Sequence, residues 1–135
     1  TTLGFSEGLA AVWKGEEAGY IDRTGKIVIP IQFNGAGDFS EGLALARMGD
    51  RTGFIDKTGK MVIPPQFSLT WGFSEGLAAV RVNDKWGFID KTGKMVIQPQ
   101  FDGTFAFSEG LALVKMGNKI GYIDQTGNFV WSSTN

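Results

Sequence analysis

The chain has 135 residues, with 13 basic and 14 acidic side chains, a net charge of −1, and neither cysteine nor histidine. This composition excludes disulfides, thiol chemistry and histidine-based catalysis, and it provides no basic field for nucleic acid or an anionic membrane. No apolar run approaches the roughly 18 residues of a membrane-spanning helix. Glycine is over-represented at 20 residues, about twice the usual share.

An internal repeat organises the whole chain. The string FSEGLA begins at Phe5 and returns every 34 residues, at Phe39, Phe73 and Phe107. Twelve of the 34 positions are identical in all four copies. We therefore expect a single repeat domain over residues 1–135. Its predicted copies are residues 5–38, 39–72, 73–106 and 107–135, with residues 1–4 completing the last copy.

Each copy contains three strand-like segments, which the third copy illustrates in chain order. Residues 77–82, 85–90 and 94–97 are short, rich in β-branched and aromatic residues, and lack an apolar stripe at helical spacing. Such a piece cannot bury its apolar face alone, so neighbouring copies must stack. The sequence predicts an all-β fold of about three short antiparallel strands per copy, stacked as an open repeat array. A closed four-bladed, propeller-like ring is the alternative.

The second and third segments are joined by Asp56-Lys57-Thr58-Gly59, which resembles the phosphorylation motif of P-type ion pumps. The same place is occupied by D-R-T-G, D-K-T-G and D-Q-T-G in the other copies, beginning at Asp22, Asp90 and Asp124. A pump has one phosphoryl-accepting aspartate, so four copies of it, each between two strands, are not expected of an enzyme. An aspartate that accepts backbone N–H groups, followed by a glycine with positive φ, is instead typical of a hairpin turn.

Most of the repeated apolar residues are predicted to form the core. They are four phenylalanines, four leucines, four tyrosine or phenylalanine residues before the Ile-Asp pair, and three later phenylalanines: Phe5, Phe39, Phe73, Phe107; Leu9, Leu43, Leu77, Leu111; Tyr20, Phe54, Phe88, Tyr122; Phe33, Phe67, Phe101. The repeated Ser-Glu-Gly is predicted to be a turn in which Ser or Glu satisfies free N–H groups.

The motifs F-S-E-G-L-A and K-W-G-F-I-D-K-T-G-K-M-V-I-x-P-Q-F resemble the WG-repeat family, also called KWG repeats. The third copy carries the name-giving pair, Trp86-Gly87, whereas the others have Ala18, Thr52 or Ile120 before the glycine. The resemblance implies a β-rich binding or scaffolding module of a kind found mostly in bacteria. It implies no catalytic residues and no cofactor.

We predict a non-enzymatic module for multivalent binding or scaffolding, with a protein or glycan partner and without nucleic acid, membrane, metal or cofactor. A lectin is one alternative, and a glycoside hydrolase that uses paired Glu and Asp carboxylates is another. We call residues 34–38, 68–72 and 102–106, which lie between the copies, linkers. Their aromatic residues, Trp71 and Phe105, could anchor a partner or fill the seam between copies. The candidate binding residues are four aromatic side chains and the four repeated glutamates: Trp71, Phe105, Trp86, Trp13, Glu7, Glu41, Glu75 and Glu109.

Overall fold

The computed structural model describes residues 4–133, and the chain divides into two compact units, Thr1–Gln66 and Phe67–Asn135. All regular structure in the described residues is β-strand, arranged in four antiparallel sheets. None of these described sheets closes into a barrel, which confirms the predicted open, repeated all-β arrangement. The same residues contain no helix long and apolar enough to cross a membrane. The predicted role of residues 1–3 in completing the last copy lies outside the described residues.

Unit 1 contains two sheets in which strands follow one another in chain order. Sheet 1 consists of β1 (Ala10–Lys14), β2 (Glu17–Ile21) and β3 (Ile27–Phe33). Sheet 2 consists of β4 (Gly35–Ala36), β5 (Ala44–Met48), β6 (Arg51–Ile55) and β7 (Met61–Phe67), whose last residue is the first of unit 2.

Unit 2 contains two further sheets of the same kind. Sheet 3 consists of β8 (Leu69–Ser74), β9 (Leu77–Val82), β10 (Lys85–Ile89) and β11 (Met95–Phe101). Sheet 4 consists of β12 (Gly103–Thr104), β13 (Ala112–Met116), β14 (Lys119–Ile123) and β15 (Phe129–Ser132). Each sheet therefore holds the three predicted strands of one copy.

The segments between copies add a fourth strand to sheets 2, 3 and 4. Strands β4, β8 and β12 each pair antiparallel with the strand that follows them in the chain. The structural repeat consequently begins before the FSEGLA string, in the segment that we treated as a linker.

The first hairpin of each copy closes in a two-residue turn. In the third copy, Asn83 and Asp84 both have positive φ, at 49° and 69°, and Val82 pairs with Lys85. Positive φ at both central residues is the type I′ geometry, whose twist matches the flanking strands.

The glycine of the WG pair is required by a close approach of the neighbouring strand. A Cβ atom at Gly87 would lie 2.5 Å from the carbonyl oxygen of Ile97 and 2.8 Å from the nitrogen of Pro99. The ladder between β10 and β11 shifts register at this point. Only glycine lets β11 cross so near to β10, which explains why the position is glycine in all four copies.

Each unit has its own apolar core. In unit 1 the core includes Leu9, Tyr20, Ile29, Phe33, Phe39 and Ile55, and in unit 2 it includes Leu77, Phe88, Ile97, Phe101, Phe107 and Ile123. Most of the predicted core residues are buried. The prediction was wrong for Phe5 and Tyr122, which lie in the first and last copies and are 42% and 41% exposed.

Candidate functional site

The repeated aspartates form turns. Asp56 Oδ1 accepts hydrogen bonds from Thr58 N at 2.9 Å, Thr58 Oγ1 at 2.6 Å and Lys60 N at 3.1 Å. Asp22, Asp90 and Asp124 repeat this arrangement with the same three distances. The Thr58 hydroxyl is the main reason that the pKa of Asp56 lies below its ordinary value, followed by the backbone donors. Asp56 Oδ1 therefore accepts three hydrogen bonds within its own turn, as the turn interpretation requires.

The repeated glutamates lie in tight turns and reach toward the next copy. Glu7 and Gly8 have positive φ, at 54° and 85°, and Ser6 and Leu9 exchange two backbone hydrogen bonds around them. The Glu7 carboxylate accepts the N–H groups of Glu41 at 2.8 Å and Gly42 at 3.0 Å. The predicted turn is confirmed, but its glutamate satisfies N–H groups in the following copy.

Unit 2 contains the same joint between copies. Glu75 accepts the N–H groups of Glu109 at 2.6 Å and Gly110 at 2.9 Å. Ser74 Oγ donates to Phe107 O at 2.8 Å, as Ser6 Oγ donates to Phe39 O at 2.6 Å. Glu7 and Glu75 therefore each join two successive copies, one pair in each unit.

A lysine from the second copy approaches the carboxylate of Glu7. Lys57 Nζ lies 3.5 Å from Glu7 Oε1. Desolvation, the largest influence, raises the pKa of Glu7, but the hydrogen bonds from Gly42 and Glu41 and the charge of Lys57 outweigh it. The pKa of Glu7 is consequently lowered, and the group is held in its charged form.

Three of the four candidate aromatic residues meet in unit 2. Trp71, in β8, stacks on Trp86, in β10, with ring centroids 6.2 Å apart and an interplanar angle of 16°. Phe105 also contacts Trp71, with ring centroids 5.7 Å apart and an interplanar angle of 40°. Trp86 is only 8% exposed, whereas Trp71 and Phe105 are 52% and 58% exposed. The linker residues thus cover a buried tryptophan and also present ring surface to solvent.

These rings border a pocket of about 390 Å³ in unit 2. Its wall also contains Leu113, Ile120 and Lys115, together with Gly103 and Thr104 of β12. The wall is mostly apolar, and its size lies within the range of small-ligand sites. Trp71 and Phe105 therefore fill a seam between copies, which was one of the two expectations, and they also line an open pocket.

The polar groups of the wall are largely engaged within the protein. Trp71 Nε1 donates to Thr104 O at 2.8 Å, and Thr104 Oγ1 bonds to Leu113 O at 2.8 Å. Lys115 is exposed, and its Nζ makes no hydrogen bond or salt bridge to the described residues. The nearby Asp102 is already paired with Lys85 Nζ and accepts the N–H of Gly117. Lys115 is the charged side chain of the pocket wall, and its charge also helps to lower the pKa of Asp102, after the larger effects of Lys85 and Gly117.

Trp13 does not join this cluster. It lies in β1 of unit 1 and is half exposed. At the positions in unit 1 that correspond to Trp86 and Phe105 the sequence has Ala18 and Gly37. A Cβ atom at Gly37 would lie 2.8 Å from Leu45 Cγ, so the backbone and Leu45 occupy this region. Among the described residues of unit 1 the aromatic cluster of Trp71, Trp86 and Phe105 therefore has no equivalent.

Sequence reasoning missed Lys115, Ile120 and Leu113 as pocket residues. A signal was present in strand parity, because Leu113 and Lys115 are two residues apart in β13 and lie on one side of the strand. Their proximity to Trp71 depends on how sheets 3 and 4 pack, which the repeat pattern alone does not define.

The family comparison agrees with this repeat architecture. The WG containing repeat family matches residues 19–51, 53–86 and 86–119, so the chain belongs to the WG-repeat family. A search of curated proteins finds no significant match to the chain. The chain is accordingly a β-rich module of tandem WG repeats.

Proposed function

We propose that this repeat module is a non-enzymatic binding protein whose partner is another protein, held at the aromatic pocket of unit 2. The observation that carries the proposal is the half-exposed pair of rings, Trp71 and Phe105, fixed above the mostly apolar pocket. Partly exposed aromatic side chains on a rigid scaffold are typical anchors of protein interfaces. Trp71 lies in β8, and Phe105 directly follows β12 and donates its N–H to Leu113 O. The backbone of both residues is therefore held in place, so little conformational entropy is lost on binding.

The chemistry of the pocket favours an apolar side chain next to a carboxylate. The rings, Leu113 and Ile120 provide apolar contact, and the Lys115 ammonium group attracts a negative charge. A sugar would require several hydrogen-bonding partners, yet the indole N–H of Trp71 and the hydroxyl of Thr104 are engaged internally. We therefore favour an acidic peptide segment with an aromatic or branched aliphatic residue over a glycan.

The same geometry supports one site per chain rather than four equivalent sites. Trp71 and Phe105 occupy the same position of successive copies and Trp86 occupies another, and in unit 1 Gly37 and Ala18 stand at the positions of Phe105 and Trp86. The repeats then act as the scaffold that presents the pocket, a narrower function than the multivalent binding expected from the sequence.

The carboxylates support a non-enzymatic function. A glycosidase requires a general acid with a raised pKa beside a second carboxylate. The pKa values of Glu7 and Asp56 are lowered, and both groups accept backbone N–H donors. Each carboxylate therefore stabilises a turn or a joint in its charged form.

The proposal is tested by selecting peptides of about ten residues from a displayed library on the intact chain. We expect the selected peptides to place an aromatic or branched aliphatic residue beside Asp or Glu. Trp71→Ala should weaken their binding at least about tenfold, because it removes a central aromatic anchor. Trp13→Ala is the matched control, since this half-exposed tryptophan lies outside the pocket.

A parallel panel of soluble glycans and cell-wall fragments separates the two partner classes. Saturable glycan binding that Trp71→Ala removes, with no peptide selected, would replace the proposal with a lectin. Peptide binding that Trp71→Ala leaves unchanged would show that the pocket is not the site.

A further inference from the structure

Strand β8 differs from the other two strands that the linkers form. Strands β4 and β12 each have two residues, whereas β8 runs from Leu69 to Ser74 and continues into the FSEGLA string of its copy. This longer strand carries Trp71, which lines the pocket, and also Phe73, which is only 4% exposed. One continuous strand therefore has to place a pocket residue and a buried residue.

Trp71 and Phe73 are two residues apart, yet they lie on opposite faces of sheet 3. Phe73 pairs with Ala78, and Ala78 pairs with Ile89, so Phe73 lies on the face of Ile89. Trp71 stacks on Trp86, three residues before Ile89 in a strand that pairs with β9 in unbroken register, and hence on the opposite face. Residues two apart in a regular strand share one face. A regular β8 therefore cannot place both rings where they lie.

A β-bulge at Trp71 resolves this conflict. Thr70 and Gly72 pair with two adjacent residues of β9, so Trp71 between them has no partner in the ladder. One extra residue in a strand shifts the alternation of faces for all the residues that follow it. Phe73 is thereby directed to its buried face, while Trp71 stays on the face of Trp86.

The two neighbours of Trp71 hold the bulge. Gly72 has a φ of +90°, a conformation that a residue with a side chain adopts only with strain. Thr70 Oγ1 donates to Ala79 O at 2.7 Å and accepts the N–H of Gly72 at 3.2 Å. The hydroxyl thus connects the bulge both to the neighbouring strand and to the glycine. Neither Thr70 nor Gly72 lines the pocket.

Among the three linkers, only residues 68–72 combine this threonine with this glycine. The equivalent positions hold Ala36 and Asp38 in the first linker, and Thr104 and Ala106 in the last. The short ladders of β4 and β12 contain no register shift. The bulge is therefore particular to the linker that carries the stacked tryptophan.

The direction that the bulge gives to Trp71 brings its indole to two contacts. One face of the ring stacks on Trp86, and its Nε1 donates to Thr104 O at 2.8 Å. Because 52% of the side chain is exposed, surrounding side chains enclose only part of it. The backbone direction at this residue consequently matters for where the ring lies.

From this geometry we infer that Thr70 and Gly72 are positioning residues of the aromatic pocket, which aim Trp71 at Trp86 and Thr104 through the bulge. They act without touching a ligand, because they set the direction of the ring before a ligand arrives. The consequence for binding rests on the proposed function, whereas the effect on the indole is present in the free protein.

The first test follows the indole N–H of Trp71 by NMR in the free, intact chain. The chain has four tryptophans, so the indole signal that is lost in Trp71→Ala identifies the residue. In Thr70→Val and in Gly72→Ala this signal should shift, and its hydrogen exchange should be about fivefold faster or more, because the bond to Thr104 O is weakened. Thr70→Ser keeps the hydroxyl and should restore the wild-type signal.

Gly110→Ala is the matched control for Gly72→Ala. Gly110 also lies in unit 2 and has a φ of +83°, and at both glycines nothing lies within 4 Å of a Cβ atom. Alanine therefore causes backbone strain of the same kind at both positions, but only position 72 belongs to the bulge. Gly110→Ala should leave the Trp71 signal unchanged, under conditions in which urea unfolding shows every variant to be folded.

The second test measures binding of a defined probe, the blocked dipeptide acetyl-Asp-Phe-amide, by NMR titration to about 20 mM. Thr70→Val and Gly72→Ala should weaken its binding about fivefold, because a displaced Trp71 no longer anchors the aromatic ring. Thr70→Ser and Gly110→Ala should bind it like the wild type.

The two tests separate this inference from the proposed function. An indole signal that neither Thr70→Val nor Gly72→Ala changes would overturn the inference, whether or not the probe binds. An equal change in Gly110→Ala would also overturn it, because the signal would then report only a general loss of stability. If the indole responds as expected but the wild type binds neither the probe nor any selected peptide, the positioning role is supported and the proposed function is wrong.

Discussion

The carboxylate of Glu7 is hydrogen-bonded to the backbone N–H of Glu41, the residue one full repeat later, at 2.8 Å. A second bond, to Gly42 N at 3.0 Å, completes a bidentate contact between two turns of identical sequence. Glu75 makes the same contact with Glu109. The most conspicuous acidic residue of the repeat therefore connects copies, and one substitution can test that role.

Replacement of Glu7 by Ala should lower the free energy of unfolding. Two hydrogen bonds from backbone donors to a charged, partly exposed acceptor are lost, which costs about 1–2 kcal/mol. Glu7→Gly should be less damaging, because φ at this position is 54° and glycine relieves the strain that a side chain has there. Urea unfolding of both variants measures the difference.

The control for this prediction is Glu16→Ala, in the exposed turn between β1 and β2. It should change the urea midpoint little. If Glu7→Ala and Glu16→Ala lowered the free energy of unfolding equally, the proposed role of Glu7 in joining the first two copies would be wrong.

The turn aspartates should make the protein sensitive to acid. Their pKa values are lowered in the folded state, chiefly by the threonine hydroxyl. A group with a depressed folded-state pKa stabilises the fold above its unfolded pKa, and this contribution is lost as pH falls through the folded pKa. Stability should therefore be constant near neutrality and decrease below the ordinary aspartate value of 3.8.

Urea midpoints measured between about pH 6 and pH 2.5 test this dependence. A variant with Asn at positions 22, 56, 90 and 124 keeps an acceptor oxygen in each turn but cannot titrate. Its midpoint should fall less steeply with acid than that of the wild type. Parallel curves for the two proteins would show that the turns do not cause the acid sensitivity.

A methyl group at Gly87 should disrupt sheet 3. Its Cβ atom would lie 2.5 Å from Ile97 O and 2.8 Å from Pro99 N, and both obstacles are backbone atoms that cannot rotate away. Gly87→Ala should cost about 3 kcal/mol or more, above the usual range for overpacking. Gly103→Ala is the matched control, because nothing lies within 4 Å of a Cβ atom there and the cost should be below about 0.5 kcal/mol. Similar thermal unfolding of the two variants would refute the close approach.

The sequence predicted the fold well because the repeat carries its own turn chemistry. Asp56, Gly59 and the Asn83-Asp84 pair act through local geometry, which adjacent residues determine. The Glu7 contact could not be read from one copy, because it depends on the packing of two copies. The exposure of Phe5 and Tyr122 was missed because the repeat pattern assigns one environment to every copy.

The candidate site was predicted in part. Trp71 and Phe105 stood out as bulky residues in variable linkers, and they do border the pocket. Trp13 was equally conspicuous but lies in unit 1, outside the cluster. Lys115 was not singled out from the sequence, and the pairing of β12 with β13 helps to place it in the pocket wall.

The stacked pair in unit 2 should couple energetically, and a double-mutant cycle tests whether the pocket is preformed. Trp71→Ala removes both the stacking on Trp86 and the hydrogen bond from its indole nitrogen to Thr104 O. Trp86→Phe shortens the buried ring without opening a large cavity. We expect a coupling energy of about 0.5–1.5 kcal/mol between the two positions, as is usual for aromatic pairs.

The matched cycle pairs Trp13→Ala with Trp86→Phe. It should give about zero coupling, because Trp13 belongs to unit 1 and is not among the residues that line the pocket of unit 2. Coupling in the first cycle alone means that the rings are held together before a ligand arrives, so the binding energy is not spent on ordering them. Additive effects of Trp71→Ala and Trp86→Phe would mean that Trp71 is not held on Trp86, and the pocket would lose the rigid wall on which its affinity depends.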